Sequence, residues 1–311
     1  MKLSRREFLW TAFSGFLSIL SGKNKAFSME IKIPYRKLNG IGKEVSIIGF
    51  GSTRQLTPDI VDYAIEQGIN YIDTAHTYQR GRSEEVIGQV MKKKRNRVFL
   101  VTKLDPRAWK KDNWKEAFHQ SLNESLKRLK TDHVDVIMAH NIKNIKRLSR
   151  PDLYEFFNEA RREGKVKYLG FSFHQNREEL IEEALKHPEM NLILFPFWAA
   201  LDRKGYELLI KAYQKGITLI GMKAHRSFFK FHLDGWQTSK FNRENPWRSK
   251  FSEEYELNAA KVAFRFEKMT TLLVSMTTYH KVNAFIKATK TPYTGSYNKT
   301  AVPEHLKFLF L

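Results

Sequence analysis

Four residues of this chain have the types needed to place a proton on a carbonyl oxygen: Asp73, Tyr78, Lys103 and His140. Three of them end apolar runs, in Asn70-Tyr71-Ile72-Asp73, Phe99-Leu100-Val101-Thr102-Lys103 and Val136-Ile137-Met138-Ala139-His140, and Tyr78 follows Asp73 in the next connection. A carboxylate and an ammonium closing buried strands are costly to desolvate singly and much less so as a pair. Tyr78 would serve as general acid. A free phenol titrates near pH ~10, too weak for efficient transfer at neutral pH, and a neighbouring Lys103 ammonium is expected to lower that value. Asp73 would keep the lysine charged, and His140 would donate a hydrogen bond that orients the carbonyl or shares its proton. The residue types alone fit equally well a structural ion pair beside a core histidine and a surface tyrosine.

Elements that can position these groups alternate along the chain. The segment 33–46 reads as a short hairpin turning at Asn39-Gly40, followed by an apolar strand over 45–50. Thr57-Pro58-Asp59 caps a helix that Gly68 stops, and the next strand covers 70–74. Ser83-Glu84-Glu85 opens a second helix before a strand over 98–103, and Trp114, Phe118, Leu122, Leu126 and Leu129 recur at helical spacing before a strand over 133–139. Further strands are expected at 167–173, 192–197, 218–222 and 272–276, with helices starting near Asp152, Glu178, Arg203, Glu254 and His280. Repeated strand-helix units with strands apolar on both faces imply a closed parallel α/β barrel, a (β/α)8 TIM barrel with an N-terminal β-hairpin. An open doubly wound sheet is the alternative, disfavoured because no Gly-x-Gly-x-x-Gly follows the first strand. A long loop after strand 7, over 224–254, interleaves Phe228, Phe229, Phe231, Trp236, Phe241, Trp247 and Phe251 with basic residues. Such a loop packs on the barrel rim, covers a ligand, or, less compatibly, stacks single-stranded nucleic acid.

Several segments resemble the aldo-keto reductase family. Ile72-Asp73-Thr74-Ala75-His76-Thr77-Tyr78, then Gly81-Arg82-Ser83-Glu84-Glu85-Val86-Ile87-Gly88, is similar to the family's Asp-Thr-Ala-x-x-Tyr segment with its downstream Ser-Glu and glycine. Val98 to Lys103 and Asp135 to His140 resemble its lysine and histidine strands, and Gly170-Phe171-Ser172-Phe173-His174 fits as well. The resemblance spans roughly residues 33–288. It implies NADP(H)-dependent hydride transfer to an aldehyde or ketone, with Tyr78 as proton donor.

The same resemblance assigns cofactor contacts. Ser172 matches the serine that helps hold the nicotinamide carboxamide, and His174 follows it as in some branches, whereas Phe173 stands where asparagine is common and Leu194 where glutamine binds that carboxamide. An apolar side chain replaces neither its donor nor its acceptor. The last strand, Val274-Ser275-Met276-Thr277-Thr278, lacks the family glycine, and Ala284-Phe285 falls where Glu-Asn often grips the adenine. Lys223, Arg226, His280, Lys281 and the start of the final helix could hold phosphate. His76, His174, His225 and His232 show no diagnostic metal spacing.

Composition narrows the field. The 311 residues are 42% hydrophobic and 13% aromatic, enough to bury one large core. Cysteine is absent, which excludes disulfides, thiolate metal sites and cysteine nucleophiles. The net charge of +21 attracts anions of any class: phosphorylated cofactors, an acidic redox partner, an anionic surface. Ser4-Arg5-Arg6-Glu7-Phe8-Leu9, an apolar run to Leu20, Lys23 and Lys25, then Ala26-Phe27-Ser28 resemble a bacterial twin-arginine (Tat) signal. That reading gives a signal peptide over 1–28, a barrel over 29–311, engagement of the Tat export machinery and a periplasmic or other extracytoplasmic location. An amphipathic terminal helix or retained anchor is the alternative. The first 28 residues hold five basic side chains and one acidic, so the basicity belongs mostly to the barrel. The function expected is reduction of a small-molecule carbonyl. The competing readings are a barrel that keeps the tetrad but uses another redox partner or only binds a ligand, and a basic binding module, with nucleic acid the least favoured ligand.

Overall fold

The computed structural model describes residues 32–233 and 250–311. Eight parallel strands close into a barrel: β3 (Ile48–Gly51), β4 (Tyr71–Asp73), β5 (Phe99–Lys103), β6 (Val134–Ile142), β7 (Val166–Phe173), β8 (Met190–Pro196), β9 (Thr218–Met222) and β10 (Met269–Val274). Closure comes from β10 against β3, with Leu272 opposite Ile48 and Val274 opposite Phe50. Helices α1 (Pro58–Glu66), α2 (Arg82–Lys94), α3 (Trp114–Leu129), α4 (Ile145–Leu148), α5 (Pro151–Arg162), α6 (Arg177–Ala184), α7 (Arg203–Gln214), α8 (Ala224–Ser227), α9 (Glu253–Phe264) and α10 (Tyr279–Ala288) fill the connections. The architecture is the (β/α)8 barrel expected from the strand-helix alternation.

Strand alternation divides the apolar residues into two layers. Phe50, Ile72, Leu100, Ile137, Phe171, Phe173, Ile193 and Phe195 face the helices in one core. Tyr71, Phe99, Val101, Val136, Met138, Leu192, Leu194 and Ile220 fill the barrel itself. Leu38 and Val45 join that inner layer, both fully buried. They come from the hairpin β1 (Tyr35–Lys37) and β2 (Glu44–Ser46), which therefore plugs the end where the strands begin. Asn39 accepts at its carbonyl from Thr218 Oγ1 at 2.7 Å, and Arg36 donates to the carbonyls of Phe264, Phe266 and Met269. Gly40, at φ +70°, lies so close that a Cβ would stand 2.2 Å from the Gly216 carbonyl oxygen, so only glycine fits.

Three local readings shift. The strand expected over 45–50 is split: Val45 pairs in the hairpin with Arg36, and the barrel strand begins at Ile48, because the chain bends where Ser46 Oγ donates to the Ile48 carbonyl. The last strand starts at Met269, not Leu272; Thr270 and Thr271 look polar in sequence but are buried β-branched residues that suit a pleated interior. Thr57 sits at the α1 N-cap without a capping hydrogen bond, whereas Asn113, Ser252 and Thr278 do cap their helices.

The long connection after β9 starts as two helical turns, α8 and Phe229–Phe231. Phe228 and Phe231 are buried against Phe310, with ring centroids 6.1 and 5.8 Å away, and Phe251 stacks on Tyr255 at 4.9 Å. These aromatics pack the described ends of the connection against the C-terminal segment and α9. Trp236, Phe241 and Trp247, like the whole 1–28 segment, lie outside the described residues. Among the described residues no helix is long and apolar enough to cross a membrane, and no group of three or more His, Cys, Asp or Glu is placed to hold a metal.

Candidate active site

Barrel geometry sends the last residue of each strand to one end, and Asp73 and Lys103 arrive there on adjacent strands. Both are almost wholly buried. Lys103 Nζ donates to Asp73 Oδ1 and, at 2.7 Å, to the Thr74 carbonyl. The Tyr78 ring lies beneath that ammonium, 4.7 Å from Nζ to the ring centroid. His140 meets Tyr78 edge to face, centroids 5.7 Å apart. The structure thus brings together all four residues picked out by type and spacing. Ser52 and Ser83 fix the backbone beneath them: Ser52 Oγ donates to the Asp73 carbonyl at 2.8 Å, and Ser83 Oγ to Ser52 Oγ at 2.7 Å.

Electrostatics refine the roles. Burial opposes charge on Lys103, but the Asp73 carboxylate and the Tyr78 oxygen outweigh it, and the lysine pKa is raised. It remains an ammonium. The Tyr78 phenol moves up from its ordinary value because burial dominates, although Lys103 pulls the other way. The net lowering expected from Lys103 alone is therefore corrected: desolvation disfavours phenolate more than the ammonium favours it. Tyr78 is accordingly held as the protonated phenol. His140 is held down at about 3, by burial first and then by Lys103 and His174, so it is a neutral imidazole that can donate one hydrogen bond. Asp73 Oδ2 and His140 Nδ1 are buried without a partner among the described residues.

The tetrad opens onto a cleft lined by Asp73, Tyr78, Leu194, Met222 and a group of cations, Arg54, Lys223, Arg226 and Lys281. Lys223 holds a left-handed φ of +60° at the end of β9, and its Nζ lies 3.4 Å from His174 Nε2. Burial and then Arg226 lower Lys223 to about 8. His174 falls to about 4 through burial and then Lys223, and His225, among these cations, falls to about 3 for the same two reasons, burial and then Arg226. Lys281 stands in the first turn of α10, where Thr278 Oγ1 accepts from its backbone N–H at 3.1 Å, and its Nζ reaches Glu256 at 3.1 Å. The cleft is thus electropositive, with Asp73 and Glu256 as the carboxylates on its wall.

The remaining expected contacts are distributed unevenly. Ser172, like His174, is not among the residues lining the cleft; buried at the top of β7, it accepts from the Asn141 N–H at 2.9 Å and retains its own proton to donate. Leu194 pairs with Ser172 across β7 and β8 and presents an apolar wall. Phe173 points outward into the helix-facing core and stacks on Phe171 at 5.9 Å. His280 is exposed on α10, its Nε2 2.7 Å from Glu253, and is not among the cleft-lining residues. Beyond its position just past a strand end, nothing in the sequence marks Arg54, which sits in an irregular connection after β3 and carries no motif.

The Aldo/keto reductase family profile matches residues 49–300. The chain is 31% identical over 239 residues to "Uncharacterized oxidoreductase YqkF" of Bacillus subtilis (strain 168), covering 73% of this chain and 76% of that protein. It is 32% identical over 126 residues to "Aldo-keto reductase YhdN" of the same organism, covering 34% of this chain and 37% of that protein. Among solved structures, the holo form of aldo-keto reductase AKR11C1 from Bacillus halodurans superposes with a TM-score of 0.68 at 23% identity, over 89% of this chain and 96% of that one. An aldo/keto reductase from Klebsiella pneumoniae, solved with NADP and acetate, gives 0.61 at 21% identity, over 83% and 91%. With a profile match across most of its barrel and a relative of this identity and coverage, the chain is an oxidoreductase of the aldo/keto reductase family.

Proposed function

We propose that this protein reduces an aldehyde or ketone with NADPH, and that Tyr78 delivers the proton. The observation that carries this reading is the buried Asp73–Lys103 pair under the Tyr78 ring, opening directly onto an electropositive cleft. The residues present suit such a cofactor unequally along its length. Arg226 and Lys281, with Lys223 and Arg54, fit its phosphates, supported by the N-terminal end of α10. Leu194 and Met222 offer an apolar face to the nicotinamide ring, while Ser172, which keeps one donor, lies behind that lining. When bound, the cofactor supplies hydride to the carbonyl carbon. Tyr78 gives its phenolic proton to the oxygen as negative charge grows there, Lys103 stabilises the phenolate left behind, and neutral His140 orients the carbonyl by an N–H donor. Asp73 keeps Lys103 charged and in place.

Leu194 supports a second reading, in which the tetrad is retained but the redox partner is different or the ligand is not turned over. A titration separates the two: NADPH should quench intrinsic fluorescence and be consumed when an aldehyde is added. Neither change at millimolar NADPH would sink the reductase reading.

The reading extends to location. Arg5-Arg6 and the apolar run behind them support export of the folded barrel by the Tat machinery to the periplasm or another extracytoplasmic space. Recovery of the chain solely from the cytoplasmic fraction would contradict it. The basicity outside 1–28 supports contact with an acidic redox partner or anionic surface that could reduce the carried cofactor.

A further inference from the structure

Tyr78 begins a turn that does not hold its own shape. Gln79, Arg80 and Gly81 stand in succession at φ of +51°, +59° and +92°, where L side chains crowd the backbone. Such a run persists only where its surroundings over-determine it. Two clamps meet it. On one side Gln79 Nε2 donates to the carbonyls of Arg54 and Ser52. On the other, Arg128 of α3 donates through Nη1 to the His76 carbonyl at 3.2 Å. Its guanidinium lies where a Cβ on Gly81 would meet it at 3.0 Å, so the bare glycine lets the turn rest on the guanidinium.

The same guanidinium reaches the other half of the donor machinery. Arg128 Nη1 is 3.0 Å from Glu84 Oε2, and Glu84 has no solvent exposure. Glu84 Oε1 accepts from Thr102 Oγ1 at 2.6 Å, and Thr102 immediately precedes Lys103 on β5. Arg128 is completed by Glu124 at 3.2 Å and by His76 Nδ1 at 3.4 Å. One chain of contacts therefore runs from the Tyr78 turn through Arg128 and Glu84 to the neighbour of Lys103. Neither Arg128 nor Glu84 lines the cleft.

We propose that Glu84 and Arg128 form a positioning pair that fixes the Tyr78 phenol relative to the Lys103 ammonium. This rests on the reading of Tyr78 as proton donor. A carboxylate with both oxygens engaged ties α2 to β5, and a planar guanidinium supplies several donors at once in a fixed fork that a lysine cannot reproduce. A shift of the phenol by about 1 Å is enough to cost about 100-fold in rate.

The test uses the full chain carrying Arg128→Lys, Arg128→Ala or Glu84→Gln. Because Arg128→Ala strands a buried carboxylate and can prevent folding, the neutral double variant Glu84→Gln/Arg128→Met is made beside it. For each variant that folds, kcat for aldehyde reduction is expected to fall about 100-fold, with the NADPH dissociation constant unchanged. Amide hydrogen exchange over 76–81 should accelerate, and guanidinium should restore part of the kcat of Arg128→Ala. In a Tyr78→Phe background the same substitutions should bring no further loss. Unchanged kcat, unchanged exchange over 76–81, or an undiminished loss in that background would overturn the positioning role. If Tyr78→Phe alone leaves turnover intact, the proton-donor reading falls and takes the pair with it. A strong Tyr78 dependence with undisturbed Arg128 and Glu84 variants removes the pair alone.

Discussion

Two buried carboxylates sit at opposite ends of this barrel, and their surroundings differ. Asp135, near the start of β6, accepts from Arg95 at 2.8 Å, Lys167 at 2.9 Å and the Leu100 N–H at 2.9 Å. Burial pushes its pKa up, but Arg95, the Leu100 N–H and Lys167 together leave it lowered. Asp73, at the end of β4, engages Lys103 with one oxygen and leaves the other without a partner among the described residues; burial raises it more than Lys103 lowers it. His140 Nδ1, Asn141 Oδ1 and His174 Nδ1 at the same end are also unpartnered. The hairpin end is plugged by Leu38 and Val45 and laced by Arg36. One end has its charge saturated and serves stability. The other keeps spare bonding capacity, which is the condition for acting on a ligand.

That contrast can be broken by exchanging the readouts. Asp73→Asn should lower carbonyl turnover about 1,000-fold, the scale of proton-transfer catalysis. Asp135→Asn should leave turnover nearly intact and cost about 3 kcal/mol in denaturant-monitored stability, because two cations lose a buried partner. The sign with pH follows. Asp135 is depressed in the folded state, so its contribution is present above the unfolded value near ~4 and is lost as pH falls through the folded one. A large turnover loss in Asp135→Asn, or none in Asp73→Asn, would erase the distinction.

A smaller effect is expected at the Leu194 wall of the cleft. Leu194→Gln would supply a donor and an acceptor, and NADPH binding should tighten about tenfold, the scale of one good hydrogen bond. Weaker binding in that variant would place the ring elsewhere. Smallest is a pH effect through Lys223, which lies at about 8. Raising pH from neutral through that value removes a positive charge, so NADPH affinity should decline a few-fold between about pH 7 and 9. Affinity that rises over the interval would take Lys223 out of the phosphate contacts.

Much of this was legible in the sequence because barrel strands are apolar runs whose terminal charges stand out: Asp73, Lys103 and His140 each end such a run. Tyr78 was readable through its motif. Other features depend on distance relations that no local pattern encodes. Arg128 meets Glu84 and Gly81 only because α3 packs beside α2. Arg54 enters the cleft from an irregular connection. The direction of the Tyr78 shift also needed the structure, since sequence shows a neighbouring lysine but not the burial that outweighs it. At β10 the pattern misled, because Thr270 and Thr271 are polar by type yet buried.

The account turns on Tyr78. NADPH binding and aldehyde-dependent NADPH consumption should be measured for the full chain and for Tyr78→Phe side by side. The account predicts equal NADPH dissociation constants and a fall in turnover of about 1,000-fold in the variant; equal turnover by the two proteins would contradict it.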